Sequence, residues 1–277
     1  MKTQYRPDTP SLLGSRLKVA RAKEHLDELE PELRAYFERE PYRVADQPDV
    51  EDGWMVIRII GVTEHPDPMW SVRVGELIHD LRSALDNLVW QLVLVNGKDP
   101  GEHNQFPIYT EPPKGRSRFF RKATRLDDML AGVDPSAVAT IKELQPYHGR
   151  HMHRQHRTAL AWLATLSNID KHRFVLPALG AKQQGDEPSF DHVSGPVPSD
   201  IYFVATIGPI YPGAEMFRWR VAGGGDDTKV DMEGKIPYDI TFGSEHLTLS
   251  RLDWLQERIG QIVERFACAF PADPHKL

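Results

Sequence analysis

VGELIHDLRSALDNLVWQLVLVN, residues 74–96, decides how the rest of the chain is read. Val74, Ile78, Leu81, Leu85, Leu88, Leu92 and Val95 recur at alternating steps of four and three, the period that lines one face of an α-helix. A stripe of that length packs on other helices, so the chain is expected to hold a helical core. Asn96-Gly97 follows it and suits a left-handed helix cap.

Residues 11–39 predict a second helix, with Leu26, Leu29, Leu33 and Phe37 on one face and Pro31 expected to kink or divide it. Residues 157–176 predict another well-buried helix, and Asp134-Pro135 opens a short one. Near the end, Leu252, Leu255, Ile259, Ile262 and Phe266 mark a helix over 247–270. Two strand-like runs, Tyr42 to Ala45 and Trp54 to Val62, flank QPDVEDG, whose composition suits a loop, and together they predict a hairpin. From 181 to 246 the pattern changes to short alternating runs, IYFVATI, MFRWRV, TKVDM and IPYDITF, punctuated by GPVP, YPG and GGGDD. These predict a small antiparallel meander.

The expected fold is therefore α+β, a bundle of four to five helices with a small antiparallel β layer. Residues 1–180 are expected to form a mainly helical core with an early β-hairpin near 42–62. Residues 181–246 would form the meander, and 247–277 a C-terminal helix returning to the bundle.

With 277 residues the chain has room for one large domain or two small ones. Hydrophobic residues at 40% and charged residues at 27% exclude collagen-like, low-complexity and wholly disordered classes. MKTQYRPDTP has no apolar stretch behind its lysine, and no run of apolar residues is long enough for a membrane span, so the expected address is the cytoplasm with no membrane partner. Cys268, the single cysteine, excludes an internal disulfide, a cysteine zinc finger and an iron–sulfur cluster, and is expected to be a small buried hydrophobe. No cofactor is expected.

The net charge is −6, yet between Lys114 and Arg173 twelve Lys and Arg stand against five Asp and Glu, with five of the 12 histidines. A basic block of this kind suits phosphate contact. Four constellations lie in or near it. On the 74–96 helix, His79, Arg82 and Asp86 form a polar strip beside the apolar stripe. An Arg beside an Asp holds a phosphate or positions a general base; equally, the two pair with each other or with a neighbouring helix. In SNIDKHR, residues 167–173, Asn168 and His172 are four apart, with Lys171 close by. Packed against the first helix, they would meet Arg82 or Asp86, forming either a network that fixes helix register or a pocket suited to proton transfer.

HGRHMHRQHR brings together His148, His151, His153 and His156, but Arg150, Arg154 and Arg157 are interleaved and no carboxylate is present. A cation would be repelled there, so no metal is expected, and the tract reads as a solvated basic loop or a phosphate contact. KGRSRFFRKATR places Lys114, Arg116, Arg118, Arg121, Lys122 and Arg125 around Phe119 and Phe120. These either bind nucleic acid by neutralising phosphates and stacking bases, or anchor in the core through the two rings while the charges face water. No glycine-rich phosphate loop, G-x-S-x-G elbow or HExxH pair occurs.

LIHDLRSALDNLVWQL, with NIDKHR on a later helix, resembles the helical bundles of bacterial HEPN-type proteins, many of them ribonucleases or RNA-binding modules of toxin–antitoxin and phage-defence systems. In that family an Arg precedes a His by four to six intervening residues, and two such motifs meet across a dimer to cut RNA without a metal. Arg82 matches the arginine, while the position five further on is Asn87. Three Arg–His pairs do have the spacing, Arg58 with His65, Arg73 with His79 and Arg150 with His156, a number that composition alone accounts for.

The resemblance implies an RNA-interacting protein, RNA-binding or a degenerate metal-independent ribonuclease, with RNA and a second copy of the chain as partners. Its polar centre would be Arg82, Asp86, Asn168 and His172. In a nuclease, His172 or His79 would serve as general acid or base and Arg82 would stabilise phosphorane charge. Its nucleic-acid surface would be Lys114, Arg116, Arg118, Arg121, Lys122, Arg125, Arg150, Arg154, Arg157 and Lys171. Two other readings fit the same residues: a non-catalytic oligomeric or partner-binding scaffold, and a small-molecule enzyme with a pocket between bundle and sheet.

Overall fold

A computed structural model describes residues 9–45, 49–112, 125–148, 154–172, 177–181, 189–197, 199–205, 211–223, 229–233, 238–242, 247–271 and 273. The fold is mixed, with helices and antiparallel strands. It divides into two units, one of Met1–Asp27, Val72–Phe174 and Leu252–Leu277, the other of Glu28–Ser71 and Val175–Arg251.

The first unit is helical. Its central element is α2, Met69–Val95, which begins five residues before the stripe that announces it. Val74, Ile78, Leu81, Leu85, Leu88 and Leu92 are buried, and so are Leu77, Ala84, Val89 and Val93, so the buried arc is wider than one stripe. Each large apolar side chain removed from water here contributes about 1.5–3 kcal/mol. The helix ends as its sequence predicts: Gly97 takes φ 68°, its N–H donates to Leu94 and that of Lys98 donates to Val93, a Schellman cap.

Helix α1, Leu13–Glu38, opens antiparallel to α2. Ser11 N–H donates to Gln91 Oε1 at 3.0 Å, Ser15 Oγ to Asn87 Oδ1 at 3.1 Å, and Lys18 Nζ lies 3.5 Å from Asp80. The helix runs through Pro31 without the expected division. The lost hydrogen bond and ring clash of an internal proline are offset by Leu29, Leu33 and Tyr36, buried on both sides of it. Short helices α3, Arg125–Met129, and α4, Pro135–Glu143, follow α2; Asp134 caps α4 by accepting Ser136 N–H at 2.9 Å. Next comes α5, Arg154–His172, in which Ala159, Leu160, Leu163 and Leu166 are buried.

Helix α6, Leu249–Glu264, makes side-chain contacts with the first half of α1. Arg16 pairs with Glu264 at 2.7 Å, Lys23 with Asp253 at 3.0 Å, and Gln256 Nε2 donates to the Val19 carbonyl. Cys268, in the 3₁₀ turn Ala267–Ala269, is exposed and not buried as expected. Phe266 and Phe270, on either side of it, turn into the core, and the intervening 3₁₀ turn leaves Cys268 on the outer face.

The second unit holds the strands β1 (Tyr42–Val44), β2 (Asp49–Glu51), β3 (Trp54–Val62), β4 (Pro177–Ala181), β5 (Ser189–Ser194), β6 (Asp200–Ala205), β7 (Glu215–Ala222), β8 (Lys229–Glu233) and β9 (Tyr238–Phe242). The early hairpin is present. Part of QPDVEDG, expected as loop, is strand β2, joined to β3 by Asp52-Gly53 with positive φ at both residues, as a type I′ turn requires.

Two expectations are corrected here. The early hairpin does not belong to the helical unit, because β3 pairs with β7 in a sheet of order β1-β3-β7-β6, with β2 also on β3. The later strands do not form a meander: β6 pairs with β7, β5 with β8 and β4 with β9, each pair nested outside the last. Alternation shows that a segment is a strand, but carries nothing about which distant strand it joins. Ile57, Ile59, Met216, Phe217 and Trp219 form the core on one face of the sheet, with Phe37, Tyr42, Ile201 and Phe203 packed against it.

Among the described residues no helix is long and apolar enough to cross a membrane.

Candidate functional site

Arg82 and Asp86, one turn apart on α2, are brought together. Arg82 Nε lies 3.2 Å from Asp86 Oδ2 and its Nη2 lies 2.9 Å from Oδ1. The pair then reaches one residue of the loop after α2: Arg82 Nη2 donates to the Phe106 carbonyl at 2.7 Å and Phe106 N–H donates to Asp86 Oδ1 at 2.9 Å. Phe106 is fully buried, so its backbone N–H and C=O need partners away from water, and this pair supplies both.

The same loop is held from a second side. Gln145, fully buried just after α4, accepts Tyr109 N–H at 2.9 Å through Oε1 and donates through Nε2 to the carbonyls of Pro107 at 2.8 Å and Ile141 at 3.1 Å. All three of those polar groups of the amide are used. Upstream, Asn104 accepts Gly101 N–H and donates to the carbonyls of Met129 and Ala131. Residues 101–109 are thus a loop without regular structure that is fixed to α2 and α4 by side-chain amides, a carboxylate and a guanidinium.

Comparison with family models, with curated proteins and with solved structures finds no match. What this site does must therefore come from its own geometry.

Asn87, where the HEPN motif would have histidine, faces α1. Its Oδ1 accepts Ser15 Oγ–H and would lie 2.8 Å from a Cβ placed on Gly14. The absence of a side chain at Gly14 lets the amide sit there. His79 is exposed, and its Nε2 lies 3.3 Å from Ser83 Oγ, so it joins the next turn of α2 and not the Arg82–Asp86 pair. Asn168 is exposed on α5 and shares no hydrogen bond with Arg82 or Asp86. For His172 and Lys171 the backbone is helical, and their side chains lie outside the described residues, as do those of Arg125, Arg154 and Arg157. Lys114, Arg116, Arg118, Arg121, Lys122 and Arg150 lie outside the described residues altogether.

No local pattern marks His25, yet it is the most chemically distinctive buried side chain of this unit, 4% exposed on α1. Its Nε2 lies 3.8 Å from Asp80 Oδ2 and its Nδ1 3.9 Å from Glu76 Oε2, and Nδ1 has no hydrogen-bond partner. Glu76 and Asp80 are one turn apart on α2, and that spacing is the only signal the sequence holds. Among the described residues no group of three or more His, Cys, Asp or Glu is placed to hold a metal ion.

Proposed function

We propose that the chain is a cytoplasmic, RNA-associated protein that binds RNA without cutting it, built on a HEPN-like bundle of four to five helices with an antiparallel β layer. The observation that carries RNA association is the concentration of positive charge between Lys114 and Arg173 in a chain whose overall charge is −6. Support for binding without cleavage comes from the two motif positions on α2. Arg82 is committed to Asp86 and the Phe106 carbonyl, and Asn87 to Ser15, so neither offers the free guanidinium and imidazole that metal-independent phosphoryl chemistry uses.

The test is a mobility shift of labelled single-stranded RNA by the full chain at several salt concentrations, with a cleavage assay on the same samples. Binding that weakens steeply with salt and leaves the RNA intact is the expected result. No binding at low salt removes RNA association. Cleavage by the wild type that His172→Ala abolishes without unfolding restores the ribonuclease reading.

A partner-binding scaffold is the second reading, favoured by the same clamp: residues 101–109 are held in one conformation by Arg82, Asp86, Asn104 and Gln145, as a fixed recognition surface requires. It predicts that the purified protein binds no RNA and associates with itself or another protein.

A further inference from the structure

The face of the β1–β3–β7–β6 sheet turned away from Ile57, Phe217 and Trp219 carries a row of two aromatic rings and one arginine, of which Tyr202 and Arg220 are exposed and Trp54 is half-buried. Tyr202 on β6 pairs in register with Arg220 on β7. Met55 pairs with Trp219, so the same register extended by one residue sets Trp54 on β3 opposite Arg220. The three side chains therefore stand side by side across three strands. The Arg220 guanidinium carbon lies 4.8 Å from the Trp54 ring centroid and 5.0 Å from that of Tyr202. Tyr202 is 45% exposed and its neighbour Val204 is 48% exposed.

Charge on this face is divided unevenly. Glu215 is bound by Arg218, and Asp49 and Glu51 are bound by Arg58, so these carboxylates are already matched. Arg220 has no carboxylate within ion-pair distance among the described residues. The two rings hold it in place, at 4.8 and 5.0 Å from their centroids. A guanidinium fixed over aromatic faces keeps its edge N–H groups available and loses little further freedom when an anion binds them. Aromatic rings exposed on a sheet, with an arginine between them, are the arrangement on which unpaired bases stack while a phosphate meets the cation.

We propose that this face binds single-stranded RNA, with bases stacked on Tyr202 and Trp54 and a phosphate on Arg220. The inference rests on the RNA association proposed above and gives it a site in the sheet, apart from the basic block.

The test uses the full chain and a fluorescently labelled oligouridylate of about ten nucleotides, with an RNA duplex as comparison, followed by anisotropy over a salt series. Trp54→Ala and Tyr202→Ala are each expected to weaken binding of the single strand about tenfold, whereas Tyr202→Phe, which keeps the ring, binds as the wild type does. Arg220→Ala is expected to lower the slope of log affinity against log salt by about one phosphate contact. Circular dichroism confirms that each variant is folded. Folded Tyr202→Ala and Arg220→Ala proteins that bind RNA unchanged, while charge removal at Lys114, Arg116 and Arg118 abolishes binding, overturn the sheet site and leave RNA association standing. Absence of RNA binding by the wild type overturns both. Preference for the duplex, or a change of oligomeric state in Tyr202→Ala with RNA binding unaltered, also overturns the site, the latter result making the face a contact between copies of the chain.

Discussion

Asp86 Oδ1 accepts the backbone N–H of Phe106 at 2.9 Å, and the arginine held by that carboxylate, Arg82, donates back to the Phe106 carbonyl at 2.7 Å. An Asp and an Arg one turn apart on an exposed helix face contribute only a few tenths of a kcal/mol. Here they complete the hydrogen bonding of a buried peptide unit, and that changes the scale of their effect. A pair that looks in the sequence like a phosphate-binding or base-positioning dyad serves in the fold as a clamp on the main chain.

Arg82→Ala and Asp86→Ala are each expected to lower the unfolding free energy by about 1–3 kcal/mol. Because both act on Phe106, the double variant should lose less than the sum of the two, by about 0.5–3 kcal/mol. Urea denaturation of the four proteins measures this. Strict additivity would show that the clamp does not act as a unit.

Gly14 and Asn87 should be coupled as well, through a steric contact and not a shared hydrogen bond. Alanine in place of a helical glycine ordinarily stabilises by about 0.5–1 kcal/mol, but a Cβ at residue 14 would lie 2.8 Å from Asn87 Oδ1. Gly14→Ala alone is therefore expected to forfeit that gain. In an Asn87→Ala background the amide is gone and the gain should appear. Thermal melts of the single and double variants decide it, and equal effects in both backgrounds would refute the close approach.

Acid should loosen α4 through its cap. Donors from Ser136, side chain first and then backbone, hold the Asp134 carboxyl below its ordinary value of 3.8. The folded protein thus binds that proton less readily than the unfolded chain, so the stabilisation is present above the ordinary value and is lost as pH falls through the folded one. Glu64 is lowered as well, by Arg39, and acts in the same direction. Asp134→Asn should reduce the dependence of melting temperature on pH in the acid range without abolishing it. An unchanged acid limb would exclude the cap as a contributor.

Alkali should act on the second unit. Burial pushes the Tyr42 hydroxyl up to about 12 and also raises Tyr36, where Glu64 and Tyr42 add to burial and Arg39 opposes it. Both groups bind their protons more tightly when folded, so their stabilisation is complete below the ordinary tyrosine value and is lost as pH rises through the folded one. Absorbance titration of the phenolates should show two tyrosines that ionise only as the protein unfolds. Tyr42→Phe should lose less stability than the wild type over that interval.

Where one segment buries one face, its sequence suffices. The α2 and α6 stripes, the Gly97 cap and the Asp134-Pro135 start are each set by residues within a few positions of one another. Long-range choices are not written that way. Nothing near Met55 names Trp219 as its partner, nothing near Pro31 states that burial of Leu29, Leu33 and Tyr36 will carry the helix through, and nothing near Asp86 points to Phe106. The polar strip is legible as a cluster, and its use is not, because one buried residue of a loop, Phe106, twenty positions from Asp86, supplies the groups it binds. Trp54, Tyr202 and Arg220 are ordinary strand residues until three strands set them in a row.

The pairing of Arg58 with Glu215 has a consequence for how this protein emerges from a ribosome. At about 5–20 residues per second, strand β3, paired from the start with β1 and β2, must wait on the order of ten seconds before β7 is made, and the N-terminal half of α1 waits longer still for Glu264. Throughout that interval Ile57 and Ile59 lack Met216, Phe217 and Trp219, the side chains that complete their core. Until β7 is made, that apolar surface is open to holdase binding and to proteolysis, and a slower passage through the roughly 150 intervening residues would prolong the interval.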